Sequence, residues 1–510
     1  MVTASELFEL LLHSKSDDFA AAVNNSTNSS LDIQYSPERV STSHFDLKLS
    51  GVEIHKQLNF ETKIIKSLEF KEVTFKEFVD FSNLKIASGD FILKSCRFEK
   101  GLNLKGLNIG FVTVDLSDTL ICEKFNFESL RTHSNEKAAT AKKIDFSHTK
   151  FRDVKHPIVF DNSKFMARDG VFFTSAEFDC QVVRFKNCHF DHGAFHFDLN
   201  KAQGDRIIFD NSHFGNDIFL ASENGFKTEV SFKNATFENV DFGAAGCRFE
   251  KGVDFSNARF ENSLLDFKNS NFADGLGLFS NVKADGTSFN FEDTKHKNVL
   301  NFEGANIEHS LNFDGAIFER APDLRRTSLK SHVTFQKVGL KPINFNLSDS
   351  ELVDEEDRFR RLKELAHNNK DRDNEINFLE SELTIHAHLS NSNANKAFVW
   401  LYRYLSDFGR SVASPAIWAT GVCLLYGVFF ILYGLICGQI GWPVEAAFRL
   451  SLAAILPTFG YNRSELIELK QTIFGEHHSL LFDVLVYSET ALGLLFLFLI
   501  GLALRNRFRI

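Results

Sequence analysis

The sequence predicts a β-solenoid joined through a helical connector to an α-helical membrane domain with two spans. Three observations carry this reading. Phenylalanine recurs at a fixed step from about Phe60 to Phe335. A charged, helix-forming stretch follows, rich in Asp, Glu, Lys and Arg. Two long apolar runs then close the chain, Ile417 to Gly438 and Phe482 to Leu504.

The 510 residues leave room for about two to four domains. The net charge of -10 gives no sign of a polyanion-binding surface. There are 57 Phe against 7 Tyr, 3 Trp and 2 Met, so some repeated structure demands Phe. The 7 Cys are scattered without Cys-x-x-Cys spacing, which indicates neither zinc nor a disulfide framework.

Residues 1–45 read as a helical cap and linker. The first residues carry no basic stretch, and their apolar segment is broken by Glu6 and Glu9, so no signal peptide is expected. Thr3 and Glu6 have capping-box spacing ahead of a helix over Ser5 to His13. A second helix is expected over Asp17 to Val23, and a flexible loop over Asn24 to Asp32.

Residues 46–345 repeat a unit of two aromatics five apart with a small residue between them. Examples are Phe146-Ser-His-Thr-Lys-Phe151, Phe160-Asp-Asn-Ser-Lys-Phe165, Phe209-Asp-Asn-Ser-His-Phe214 and Phe232-Lys-Asn-Ala-Thr-Phe237. A recurring internal period signals a stacked array. A step of five matches neither a helix nor strict strand alternation. It suits a coil that turns a corner every five residues. The small slot, two before the second Phe, holds Ala176, Ser212, Ala235, Ala258 and Ala316, and also Cys96, Cys188 and Cys247. These cysteines therefore read as small buried hydrophobes rather than reactive thiols. The Asn, Asp and His at the corners read as turn residues. His148, His189 and His213 fall singly on separate units, and no metal site is expected. Insertions at Ser129 to Lys143 and Leu199 to Asp205 should leave the coil as loops or bulges.

This pattern resembles the pentapeptide-repeat family, whose unit is a small residue, Asp or Asn, Leu or Phe, then two variable residues. The resemblance implies a right-handed quadrilateral β-helix. Its open ends need covers, and the N-terminal helix and the connector are the candidates.

Residues 346–395 form the connector. Acids at Asp354 to Asp357 precede bases at Arg358 to Lys363, the order that the helix dipole favours. Two helices are expected, joined near His367 to Asp373, either as a simple linker or as a collar against sister chains. Residues 396–412 set Trp400, Tyr402 and Tyr404 beside Lys396, Arg403 and Arg410, which suits a helix lying on the membrane. Ser414-Pro415 is expected to break the chain before the first span.

Residues 413–510 form the membrane domain. Each apolar run is long enough to cross a hydrocarbon core of roughly 30 Å. Basic residues flank both outer ends, with Arg505, Arg507 and Arg509 after the second span, so both termini and the solenoid are expected on the cytoplasmic side. Between the spans, Val444 to Leu456 suits a helix too short to cross. It runs into Leu456-Pro457-Thr458-Phe459-Gly460-Tyr461-Asn462. Non-helical backbone at membrane depth survives only where protein buries it or where it lines a water-filled cavity.

Thr458-Phe459-Gly460-Tyr461 is similar to the Thr-Val-Gly-Tyr-Gly filter of potassium channels, with Phe459 in place of Val and Asn462 in place of the last Gly. That likeness implies backbone carbonyls that replace an ion's hydration shell. Glu489 is a carboxylate inside the second span, a functional candidate by default. In a tetramer it would form a ring of acids below the loop, or it holds a helix contact through Ser488, Thr490 or the loop. Gly493 is a second candidate along the same span, and Gly493 and Gly501 suit close helix contacts.

The whole chain resembles bacterial pentapeptide-repeat proteins with a C-terminal two-span ion-channel-type domain. The carrying segments are Glu356-Asp-Arg-Phe-Arg-Arg-Leu-Lys-Glu-Leu-Ala366 and the tail Gly501 to Ile510. The resemblance implies a multi-pass protein of the bacterial inner membrane and a homotetrameric, cation-conducting channel with the solenoid as sensing or docking arm. The alternative is a membrane-tethered scaffold whose solenoid binds a cytoplasmic protein and whose hairpin conducts nothing. No nucleic-acid partner is expected at a net charge of -10. The resemblance also raises imitation of DNA by an acidic solenoid, which Lys233, Arg259 and Lys268 argue against because they interrupt such a surface. No enzyme or cofactor is expected, because no P-loop, GxGxxG, HExxH or GxSxG pattern occurs.

Overall fold

The computed structural model describes residues 16–25, 30–33, 46–60, 64–110, 112–132, 141–154, 156–198, 204–221, 226–390, 392–436, 444–456, 463–474 and 480–508. The chain divides into two compact units, Met1–Asn344 and Phe345–Ile510. The expected helix over Ser5 to His13 lies outside the described residues.

The first unit is a β-solenoid of about 12 turns. Short strands stack in parallel ladders, and one ladder runs through 13 strands from Asp46–Ser50 to Val333–Thr334. A second ladder of 12 strands runs beside it. The two remaining faces are each divided, into sheets of 6 and 5 strands and of 4 and 8 strands. Each turn therefore has four sides. Successive turns are 22 to 24 residues apart where the coil is regular.

The corner geometry explains the five-residue step. In Phe160-Asp-Asn-Ser-Lys-Phe165, Asn162 takes φ 57°, and Asn211, Asn234, Asn257 and Asn269 take the same left-handed conformation in their own units. Gly304 and Gly315 occupy the slot in two units that lack Asn, and Asp118 and Ser175 do so in others. Left-handed backbone is cheap only for Gly and, less so, Asn or Asp. The Asn side chains also bond between turns: Asn187 Nδ2 donates to Asn162 Oδ1 at 3.1 Å, and Asn234 Nδ2 to Asn211 Oδ1 at 3.2 Å. His148 sits at such a corner with φ 56°.

Rings fill the interior. Phe160, Phe185, Phe209, Phe232 and Phe255 stack with centroids 4.4 to 5.0 Å apart. Each fully buried ring stabilises the coil by about 1.5–3 kcal/mol, and offset or edge contacts add to this. The small slot is small because the adjacent turn lies against it. Ser212 Oγ donates to the Phe185 carbonyl at 2.6 Å and accepts from Cys188 N at 3.0 Å. Cys96 and Cys188 occupy the same buried position, and burial pushes the Cys96 thiol up to about 12 and raises Cys188 as well. Neither thiol is a nucleophile at neutral pH.

Between Phe272 and Phe302 the paired-ring unit recurs twice in altered form. Phe279-Ser-Asn-Val-Lys-Ala284 ends in Ala, and Phe291-Glu-Asp-Thr-Lys-His296 ends in His. Asn281 and Asp293 keep the left-handed corner. His296 is buried, with its ring between Phe272 and Phe318 at 4.7 and 4.9 Å.

The ladder begins earlier than the sequence suggests. Ser30–Ile33 pairs with Gln57–Phe60, placing Leu31 beside Leu58, so Ser30 to Asp32 are strand rather than flexible loop. Helix α1 (Ser16–Asn24) buries Phe19, Ala20 and Val23. It is tied to the first turns by Ser50 N donating to Ser16 Oγ at 2.9 Å and His55 N donating to Asn24 Oδ1 at 2.6 Å. It thereby covers an otherwise open end of the coil. The second insertion includes residues 199–203, outside the described residues, and the strand at Arg206–Ile208 resumes the ladder after it. At the first insertion the register shifts between Val112 and Thr113.

The second unit is helical. Helices α2 (Asp349–Asn368) and α3 (Arg372–Leu389) form a hairpin. Ser348 and Glu351 make a reciprocal capping box at the start of α2. Phe359, Leu362, Leu365 and Ala366 are buried in one stripe, facing Ile376, Phe378 and Ile385. Helix α4 (Asn393–Ser406) ends where Asp407 turns left-handed at φ 49°. Helix α5 (Ala413–Ile436) and the last helix of the chain are long and apolar enough to cross a membrane, the latter over Phe482–Phe508. Pro415 does not break the chain before α5. It lies in the first turn, where its missing N–H has no helical acceptor to lose. Helices α6 (Val444–Ile455), α7 (Arg463–Phe474) and α8 (Leu480–Phe508) complete the unit.

Candidate functional site

Val444–Ile455 is amphipathic, with Ala447, Leu450, Ser451, Ala454 and Ile455 buried. Its 12 residues make a rod of ~18 Å, too short to cross a bilayer of roughly 30 Å. Its direction follows from its contacts. Ser451 meets Cys423 of α5, and Phe448 meets Gly427, so α6 runs antiparallel to α5. Ser451 meets Glu489 of α8, and Ile455 meets Gly493, so α6 runs parallel to α8. Helices α5 and α8 are themselves antiparallel, with Tyr426 against Ser488 and Phe430 against Phe482. The chain therefore leaves α5, turns back as a half-helix, and stops beside the middle of α8.

Two features fix that stop. Gly493 has no side chain because the backbone of α6 occupies its space: a Cβ there would sit 2.2 Å from the Ile455 carbonyl oxygen. Gly427 is similar, since a Cβ would sit 2.5 Å from the Phe448 ring. Between them lies a polar node. Ser451 Oγ donates to the Cys423 carbonyl at 2.8 Å and stands in hydrogen-bond contact with Glu489 Oε1. Tyr426 Oη and Ser488 Oγ share a hydrogen bond of 2.9 Å one residue away. Glu489 is fully buried, and its Oε2 has no partner among the described residues. An apolar cluster of Phe430, Ala447, Leu450, Ala454, Phe482 and Val486 surrounds the node.

The structure thus sets Glu489 and Gly493 against the last turns of α6, through Ser451 and Ile455, and Leu456 follows directly, its N–H bonded to the Leu452 carbonyl at 3.1 Å. In the single chain Glu489 and Gly493 both face α6. Pro457, Thr458, Phe459, Gly460, Tyr461 and Asn462 lie outside the described residues. Gly501 has no neighbouring atom within 4 Å of its Cβ position in the chain, unlike Gly493. Sequence reasoning missed α7, although Leu466, Leu469 and Ile473 carry a helical period and Ile473 joins the buried cluster. It also missed Ser451, an ordinary serine whose role depends on α6 folding back.

A buried carboxyl that loses its hydrogen-bond partner costs about 1–3 kcal/mol or more. Ser451→Ala is therefore expected to lower the thermal stability of the detergent-solubilised protein by that order. Glu489→Gln, whose carboxamide can still bond Ser451, should cost less. Equal melting temperatures for wild type and Ser451→Ala would show that the node does not hold α6.

No protein-family model, curated protein or solved structure matches this chain.

Proposed function

We propose that the chain is one subunit of a cation channel, assembled as a homotetramer in the bacterial inner membrane, with its pentapeptide-repeat solenoid and both termini on the cytoplasmic side. The observation that carries this reading is the half-helix α6, antiparallel to α5, parallel to α8, and stopped halfway along α8 by Gly493. A half-helix followed by a Gly-containing segment and a full span is the layout of a pore loop. Polar backbone at that depth is stable only when it is buried or faces water. The C-terminal end of a helix carries a partial negative charge, so α6 would favour cations where Thr458 to Asn462 begin. One subunit supplies a single such loop, so a pore requires symmetric copies. Glu489 and Gly493 then act behind the loop, holding α6 in place.

The test is the purified full chain in planar bilayers, wild type beside Gly460→Val. The channel reading expects cation currents from the wild type and their loss in the variant. No current from a protein that native mass measurement finds monomeric would overturn it.

A docking role for the solenoid rests on a separate observation. Phe172, His196 and Phe219 stack along one outer face at 4.9 and 5.2 Å, and Phe219 is 42% exposed. An exposed aromatic ladder of this kind suits a protein partner. In the scaffold reading that face binds its partner while Gly460→Val changes nothing. A uniformly acidic, DNA-like surface is disfavoured by cross-turn ion pairs such as Lys233–Asp254 and Lys268–Glu292, each at 3.0 Å.

A further inference from the structure

Helix α4 is amphipathic in an unusual sense. Phe398, Trp400, Leu401 and Tyr404 are exposed, with Phe398 at 66% and Trp400 at 58%. The helix and the turn that follows it are anchored to the ends of both long apolar helices. Trp418 Nε1 of α5 donates to the Tyr404 carbonyl at 3.2 Å, and Asn506 Nδ2 of α8 donates to the Gly409 carbonyl at 3.1 Å. Trp400 stacks on Tyr404 at 5.0 Å, and Tyr404 lies 6.4 Å from Trp418. A chain of amphipathic rings of this kind marks the headgroup level of a bilayer. Arg505 and Arg507 stand in the last turn of α8, the end that Asn506 ties to the turn after α4.

Between α4 and α3 is an open cleft of about 300 Å³. Its walls include Phe345, His388, Lys396, Val399, Trp400 and Arg403. Lys396 and Arg403 are seven positions apart on α4, two helical turns, and so share a face. Glu380 of α3 pairs with Arg403 and holds its guanidinium at the wall. The Phe345 and His388 rings pack at 4.5 Å and close one side. The cleft therefore carries the Lys396 ammonium at one point and, at the other, an Arg403 guanidinium whose charge Glu380 balances while its remaining N–H donors stay available; it is apolar between them and beside the headgroup level. Its volume lies at the lower end of ligand-pocket sizes, about 300–1,000 Å³.

We propose that this cleft binds the phosphate headgroup of an anionic phospholipid, with Lys396 and Arg403 on the phosphate and Trp400 against the glycerol and upper acyl carbons. The exposed rings of Trp400 and Tyr404 beside the cleft are what commit the site to a lipid rather than a soluble phosphate, because only a lipid brings glycerol and acyl carbons to cover them. The proposal rests on the spans lying in a bilayer but not on conduction.

The test uses the full chain in vesicles, with tryptophan emission quenched by lipids brominated on the acyl chain. Trp418→Phe and Trp442→Phe leave Trp400 as the reporter. Flotation with both phosphatidylcholine and phosphatidylglycerol vesicles checks insertion separately, and failure to float with either would overturn the membrane reading itself. Given flotation, brominated phosphatidylglycerol is expected to quench Trp400 at a lower mole fraction than brominated phosphatidylcholine. Lys396→Gln and Arg403→Gln should each reduce that preference about fivefold, as loss of one basic residue at an anionic surface does. Lys396→Arg should keep it. Equal quenching by the two lipids in the wild-type chain, or a preference untouched by both Gln variants, overturns the proposal. Full displacement by soluble glycerol phosphate would overturn the lipid assignment in favour of a free-anion site.

Discussion

Gly493→Val is expected to abolish cation current in planar bilayers while the chain still inserts. The physical cause is local. A Cβ at this position meets the Ile455 carbonyl oxygen at 2.2 Å, the carbonyl carbon at 2.7 Å and the Cα at 2.8 Å. All three are backbone atoms, so no side-chain rotation relieves the clash. Either α6 moves away from α8 or the helix pair opens. Overpacking a well-filled site costs about 1–3 kcal/mol and more when backbone must shift. Moving α6 also strains the Ser451–Glu489 contact one turn earlier. Because the proposed filter starts one residue after Ile455, displacement is transmitted directly to it. Gly493→Ala should fall between, with current reduced about tenfold if its cost is near 1.4 kcal/mol. Gly421→Ala serves as the comparison, because nothing lies within 4 Å of its Cβ position, and it should leave the current unchanged. Wild-type currents from Gly493→Val would separate conduction from the seat of α6.

The solenoid should lose stability in mild acid because of one residue. His296 takes the place of a Phe in the ring ladder and is fully desolvated, with Thr294 Oγ1 at 2.9 Å as a neighbour of Nε2. Burial pushes its imidazole down to about 3 from an ordinary value of 6.5. The folded state therefore holds the neutral ring, while the unfolded chain takes up a proton once pH falls below 6.5. Stability is intact above pH 6.5 and falls steadily between there and about pH 3, by about 1.4 kcal/mol for each pH unit. At pH 5 the loss is about 2 kcal/mol. His296→Phe restores the ladder and removes this dependence. Urea midpoints measured from pH 7 to pH 4 should diverge between the two proteins as pH falls, with the variant more stable at pH 5. Parallel curves would mean that the ring is not buried neutral.

The solenoid was legible because its constraint is repeated. One corner geometry favours Asn, Asp or Gly at the left-handed position, a small side chain against the next turn, and a ring inside. Dozens of residues report the same fact. The altered units around Phe279 and Phe291 escaped because the pattern was read from paired rings, whereas Asn281 and Asp293 preserve the turn when the second ring does not. The start of the ladder escaped for a similar reason: Ser30–Ile33 pairs in register with Gln57–Phe60 but its sequence Ser-Leu-Asp-Ile carries no ring.

The membrane unit was legible at the level of composition. Apolar length marks α5 and α8, and α6 is evidently too short to span. What sequence could not supply is direction and contact. Ser451 acquires its role only because α6 runs parallel to α8, and Gly493 is distinguished from Gly501 only by the carbonyl that fills its side-chain space. Pro415 was misread because proline breaks a helix interior yet fits its first turn.

In the proposed channel α6 leads a loop to a shared axis. The most direct measurement is an electron cryo-microscopy reconstruction of the detergent-solubilised full chain. Four copies are expected around one axis, with Gly460 of every copy facing it and Gly493 against Ile455 behind. A monomer, or an assembly with Gly460 turned toward lipid, would contradict it.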